Sequence, residues 1–128
     1  MSVMIKEVKL ESYDSGKINF VSFTGKLAKQ DYELFVPALE AGIKIHGKIN
    51  LLIELHDFKG WTAGAMWEDT KFGVRHFNDI EKLAIVGDKQ WEKNLARFAK
   101  VFTRAKVRYF DESDLNNAYQ WISEEKDG

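Results

Sequence analysis

Two short apolar runs constrain this chain more than any other feature. Leu51-Leu52-Ile53 lies within a segment bounded by Gly47-Lys48 and His56-Asp57, and Leu83-Ala84-Ile85-Val86 is closed by Gly87-Asp88. Neither run alternates with polar residues, so neither marks a side for solvent. Runs of this length are strands covered on both faces, the kind that parallel sheets flanked by helices require. Val107-Arg108-Tyr109-Phe110 reads as a third strand of the same sort. Upstream, Val8-Lys9-Leu10-Glu11 and Ile18 to Phe23 flank Asp14-Ser15-Gly16-Lys17, which predicts a hairpin closed by Asp, Ser and Gly turn chemistry.

Between the strands the apolar period lengthens. Tyr32, Phe35, Val36, Leu39 and Ile43 recur at three- and four-residue steps from about Lys29, forming one face of a helix that Gly47 ends. Pro37 lies inside that pattern and is expected to bend the helix or divide it in two. Thr62 to Phe77 forms a second helical pattern. Trp91, Leu95, Phe98 and Phe102 form a third stripe, and Leu115, Ala118, Tyr119 and Ile122 a fourth, entered through Asp111 as N-cap. The order is strand, strand, helix, strand, helix, strand, helix, strand, helix. It predicts one α/β domain over residues 1–128, a layered sandwich with right-handed crossovers.

Composition narrows the function. The chain has no cysteine, which excludes disulfides, thiolate metal sites and a cysteine nucleophile, and points to a reducing interior. No apolar run approaches the roughly 18 residues of a membrane span, and Met1 to Lys6 lacks the pattern of a signal peptide, so a soluble cytoplasmic protein is expected. A formal charge of −1 gives no global field for nucleic acid, and none is expected as a partner.

Few residues stand at spacings that chemistry requires. His46, His56 and His76 fall in unrelated contexts without metal-ligand spacing and read as solvated or capping residues. His56, Asp57 and Asp88 end adjacent strands but match no catalytic pattern. Gly60-Trp61-Thr62-Ala63-Gly64 precedes a helix without either phosphate-binding glycine fingerprint. The reading is a protein that is not an enzyme and carries no cofactor or metal.

Two amphipathic segments are more informative. Phe58, Trp61, Trp67 and Phe72 crowd into 15 positions, and with Met66 and Phe77 they could pack on the sheet or line a site for an apolar or amphipathic small molecule. Gly60, Gly64 and Gly73 would let that segment hinge as a lid. From Lys89 to Arg108 there are seven basic residues against Glu92 alone. Lys89, Lys93, Arg97 and Lys100 align on one helical face, either a solvated exterior or a basic surface for an anionic membrane, each cation contributing about 1 kcal/mol there. Such a protein would be peripheral at the membrane. A homodimer would cover part of the aromatic surface, though no symmetry signal is present.

Gly25-Lys26-Leu27 before Asp31-Tyr32, Glu54 to Trp61 with its Asp-Phe-Lys-Gly-Trp core, Trp67-Glu68-Asp69, and Ala84 to Glu92 with Val-Gly-Asp-Lys-Gln-Trp resemble the SpoIIAA-like family. Ala105 to Phe110 and Ala118 to Trp121 continue the resemblance along nearly the whole chain. It implies the STAS fold of anti-sigma factor antagonists, similar also to the CRAL-TRIO lipid-binding domain, with a mixed five-stranded sheet. STAS antagonists carry a phosphorylated serine in an Asp-Ser-Ser-Gly motif after the third strand. Aligned on Gly64, that serine falls on Ala63, which has no hydroxyl, leaving Thr62 as acceptor or as an ordinary N-cap. The resemblance thus sets a regulatory protein-binding role beside the apolar-ligand reading.

Overall fold

A computed structural model of the chain describes residues 7–76, 78–89, 92, 94 and 104–124. Five strands form a mixed sheet in chain order: β1 (Glu7–Tyr13), β2 (Ile18–Leu27), β3 (Ile49–Trp61), β4 (Ile80–Gly87) and β5 (Lys106–Asp111). β1 runs antiparallel to β2, and the remaining neighbours are parallel. The hairpin turn has positive φ at Asp14, Ser15 and Gly16, as its composition predicts. The third stripe of the sequence, Trp91, Leu95, Phe98 and Phe102, lies outside the described residues.

Helices α1 (Lys29–His46) and α2 (Ala63–Arg75) cover one face of the sheet, and α3 (Leu115–Ser123) covers part of the other. Strand alternation sorts the core accordingly. Val21, Phe23, Leu51, Leu55, Ile85 and Val107 pack with Tyr32, Phe35 and Leu39 of α1, while Leu52, Ala84, Val86 and Phe110 pack with Ala118 and Ile122 of α3. The two central apolar runs thus divide between two cores, which is why neither shows a polar side.

Pro37 does not divide α1, which continues for 18 residues. Pro37 and Glu33 are both exposed, so the carbonyl deprived of its usual amide partner stands on the wet side of the helix. Gly47, at φ 81°, ends α1 by donating its amide to the Ile43 carbonyl at 2.7 Å. Gly42, inside the helix, has another function: a Cβ on Gly16 would sit 2.9 Å from the Gly42 Cα, so two glycines let the hairpin turn rest directly on α1.

The C-terminal helix is fastened from the sheet. Asp111 caps a single 3-10 turn (Glu112–Asp114) by accepting the Ser113 amide at 3.1 Å, and α3 follows. At its other end Lys82, only 2% exposed, donates from Nζ to the carbonyls of Trp121 and Glu124, both at 3.1 Å, and stands 5.4 Å from the Trp121 ring. Asn50 Nδ2 donates to the Ile122 carbonyl at 3.1 Å. The carbonyl end of α3 therefore meets one cation and one amide from neighbouring strands.

Candidate functional site

The corner where β3 passes into α2 carries most of the aromatic residues singled out in the sequence. β3 reaches Trp61 because it accommodates two irregularities: Leu55 pairs with Phe23, Phe58 with Gly25 and Gly60 with Lys26, so β3 carries an extra residue at each step. Asp57, at φ 55°, lies in the first. The extra residue returns Phe58 to the same face as Leu55, where it is 1% exposed. Without it, strict alternation would turn Phe58 to the opposite side.

Trp61 is pinned from both directions. Its ring meets Phe58 edge-on at 5.0 Å, and its Nε1–H donates to the Tyr32 hydroxyl at 2.8 Å. The Tyr32 hydroxyl in turn donates to Asp69 Oδ1 at 2.9 Å, so one chain of hydrogen bonds ties β3, α1 and α2. Burial, followed by the Asp69 carboxylate, pushes the Tyr32 phenol well above its ordinary range, so it stays a donor. Desolvation raises the Asp69 carboxyl against the lowering effect of the Tyr32 bond; the residue as a whole is exposed, so water still reaches part of it.

Thr62 is the N-cap of α2, its Oγ1 accepting the Ala65 amide at 3.1 Å. Beyond it the side chains separate. Ala65 faces inward and Phe72 is half-buried against the core, its ring 4.7 Å from that of His76. Met66 and Trp67 face outward, 57% and 62% exposed, and Val74 extends their patch two turns on. The structure therefore brings Phe58, Trp61 and Phe72 together inside and leaves Met66 and Trp67 outside. Phe77 lies outside the described residues.

Of the basic stripe, Lys89 is described: its Nζ donates to the Phe58 carbonyl at 3.1 Å, fixing the loop after β4 to β3. Lys93, Arg97 and Lys100 lie outside the described residues. Glu92, at a helical position just beyond that loop, is fully buried and its Oε1 accepts the amides of Asp88 and Lys89 at 3.0 and 3.2 Å. A Cβ on Gly87 would collide with that carboxylate, so glycine at the strand end makes room for the acid. Burial raises the Glu92 carboxyl above its ordinary range. His56 stands 3.6 Å from Glu112 at the same end of the sheet. Among the described residues no three His, Asp or Glu side chains are grouped to hold a metal, and no helix is long and apolar enough to cross a membrane.

Two arrangements were not visible in the sequence. His76 lies between two acids, Nε2 at 2.8 Å from Glu40 and Nδ1 at 2.8 Å from Asp79, with Arg75 also donating to Glu40 at 2.8 Å. The three-residue step from His76 to Asp79 was a local signal; Glu40, 36 positions away, was not. A hollow of about 460 Å³ opens on the α3 side of the sheet, over β1 to β3, and another of about 440 Å³ lies along β5 and α3.

The fold has a solved counterpart. An uncharacterised protein of the DUF3478 family from Shewanella loihica PV-4, described as having a SpoIIAA-like fold, superposes with a TM-score of 0.73 at 27% identity over 95% of this chain and 98% of its own. A search of curated proteins returns no match. The SpoIIAA-like family model matches residues 18–123, from the start of β2 to the end of α3. The chain belongs to the SpoIIAA-like family.

Proposed function

We propose that this domain is a STAS-type regulatory module that acts without catalysis, by binding a protein partner through the outer face of α2. The observation that carries the reading is the exposure of Trp67 and Met66 on the first turns of α2, beside the position where STAS antagonists are switched. The other described rings of this corner are engaged internally, whereas these two have no apolar cover among the described residues. Buried tryptophans dominate the energetics of protein interfaces, and a methionine beside one adapts to an irregular partner surface. Glu68 and Lys71, paired at 3.0 Å, provide a polar rim. The partner that fits is a protein with an apolar pocket for an indole ring and a polar margin.

The amphipathic-ligand and membrane readings make different demands. A small amphiphile needs a hollow beneath α2, where Phe58, Trp61 and Tyr32 pack against one another. An anionic membrane needs a basic face, of which the one described cation, Lys89, is bonded to a backbone carbonyl. The experiment is affinity capture from native lysate with the intact chain and with a Met66→Ser, Trp67→Ser double variant, alongside cosedimentation with anionic and neutral vesicles. A protein captured by the parent and lost from the folded variant supports the proposal. If everything captured is retained by the variant, the α2 face is not the docking site. Sedimentation with anionic vesicles would transfer the same residues to a membrane role.

A further inference from the structure

On the α3 side of the sheet the helix leaves part of the surface uncovered. Strand register sets Glu11, Phe20 and Leu52 side by side across β1, β2 and β3, and Lys9, Ser22 and Glu54 in the next row on the same face. Tyr119 of α3 closes one end, and the hollow of about 460 Å³ lies between. Two rings, Phe20 and Tyr119, line it beside the polar Ser22, Thr24 and His56. The Tyr119 ring meets Phe20 edge-on at 4.8 Å, and Phe20 lies 5.3 Å from Tyr13. The hollow's charged lining is two carboxylates, Glu11 and Glu54, against the single ammonium of Lys9, a formal charge of −1 with His56 counted neutral; His56, also on the rim, stands 3.6 Å from Glu112. Neither Glu11 nor Glu54 has a hydrogen-bond or ion-pair partner among the described residues. The Tyr119 phenol is raised first by burial and then by Glu54 and Glu11, which places both acids within electrostatic reach of the ring.

Ring faces attract cations through their quadrupole, and an adjacent carboxylate supplies the counter-charge. An anion in this hollow would face two carboxylates, and a neutral apolar molecule would strip them of water with nothing in return. We propose that the hollow binds a small organic ammonium ion, with Glu54 and Glu11 as counter-charges and the rings of Phe20 and Tyr119 as its apolar wall. The site lies on the opposite face of the sheet from Met66 and Trp67, so it stands or falls independently of partner docking.

The test is an NMR titration of the intact chain with choline chloride, with methylammonium chloride, and with the uncharged carbon isostere of choline. Saturable shifts of the Phe20 and Tyr119 ring signals are expected with at least one ammonium ion. They should weaken about tenfold or more with the isostere and in Glu54→Gln. The ranking of the two ammonium ions then distinguishes quaternary from primary amines. Equal binding of the isostere, no saturable shift with either ion, or unchanged affinity in Glu54→Gln would overturn the proposal. If Glu54→Gln fails to fold, Glu11→Gln on the exposed edge strand carries the same test.

Discussion

Replacing Lys82 by methionine isolates the fastening of α3. The ammonium donates to the carbonyls of Trp121 and Glu124, each at 3.1 Å, from a residue 2% exposed. Methionine keeps the stem and volume, so no cavity opens; what disappears is the charge and two donors. A hydrogen bond involving a charged group contributes about 1.5–3 kcal/mol. Glu124 is exposed, so water can replace the bond to its carbonyl, and losing the buried ammonium also removes its desolvation cost. The two carbonyls nevertheless stay in place, which distinguishes this change from replacing a whole ion pair by apolar residues. The expected net loss is about 2 kcal/mol, a fall in Tm of roughly 6–10 °C for a domain of this size. Urea unfolding followed by tryptophan fluorescence should show a lower midpoint with an unchanged slope. A loss below about 0.5 kcal/mol, or a gain, would refute the view that this lysine holds the helix end.

Tyr32→Phe removes the hydroxyl that both accepts from Trp61 and donates to Asp69. We expect a loss of about 1–2 kcal/mol in chemical unfolding, with a change in Trp61 emission as its indole N–H loses its acceptor. Glu40 is held below the ordinary carboxylate range by its hydrogen bonds to His76 and then Arg75. A depressed carboxylate contributes stability that is complete above its unfolded pKa of about 4.3 and is lost as pH falls through the lower folded value. The acid limb of the stability profile should therefore be shallower in Glu40→Gln than in the parent, and an unchanged limb would remove Glu40 from the account.

The central strands were legible because a buried parallel strand must be apolar on both faces, and Leu51 to Ile53 and Leu83 to Val86 satisfy that locally. Strand ends were not. β3 runs six residues beyond Leu55 because irregular pairing lets Gly60 and Trp61 keep partners on β2, and pairing is a property of two strands rather than of one sequence. The aromatic density after β3 was equally plain, but its division was not. Helical spacing places Trp67 and Phe72 on different sides, whereas only the strand irregularity shows that Phe58 and Trp61 turn inward. Pro37 was misleading for the opposite reason: its effect depends on which side of α1 faces water. Glu11, Phe20 and Glu54 share a hollow through cross-strand register, which no spacing along the chain encodes.

Thr62 is where the structural and regulatory readings meet, and substitution separates them. Its Oγ1 accepts the Ala65 amide at 3.1 Å, so Thr62→Ala should cost about 1 kcal/mol by leaving one of the first amides of α2 without a partner. Aspartate is also a good N-cap and adds a negative charge where the helix dipole favours one. Thr62→Asp should therefore fold at least as well as the parent, while changing the charge about one turn before Trp67. If Thr62 is only a cap, Thr62→Asp will capture the same proteins as the parent at the same affinity. If the position also governs docking, Thr62→Asp will lose partners that Thr62→Ala retains, even though Thr62→Ala is the less stable of the two. Stability and binding would then change in opposite directions, which a purely structural threonine cannot produce.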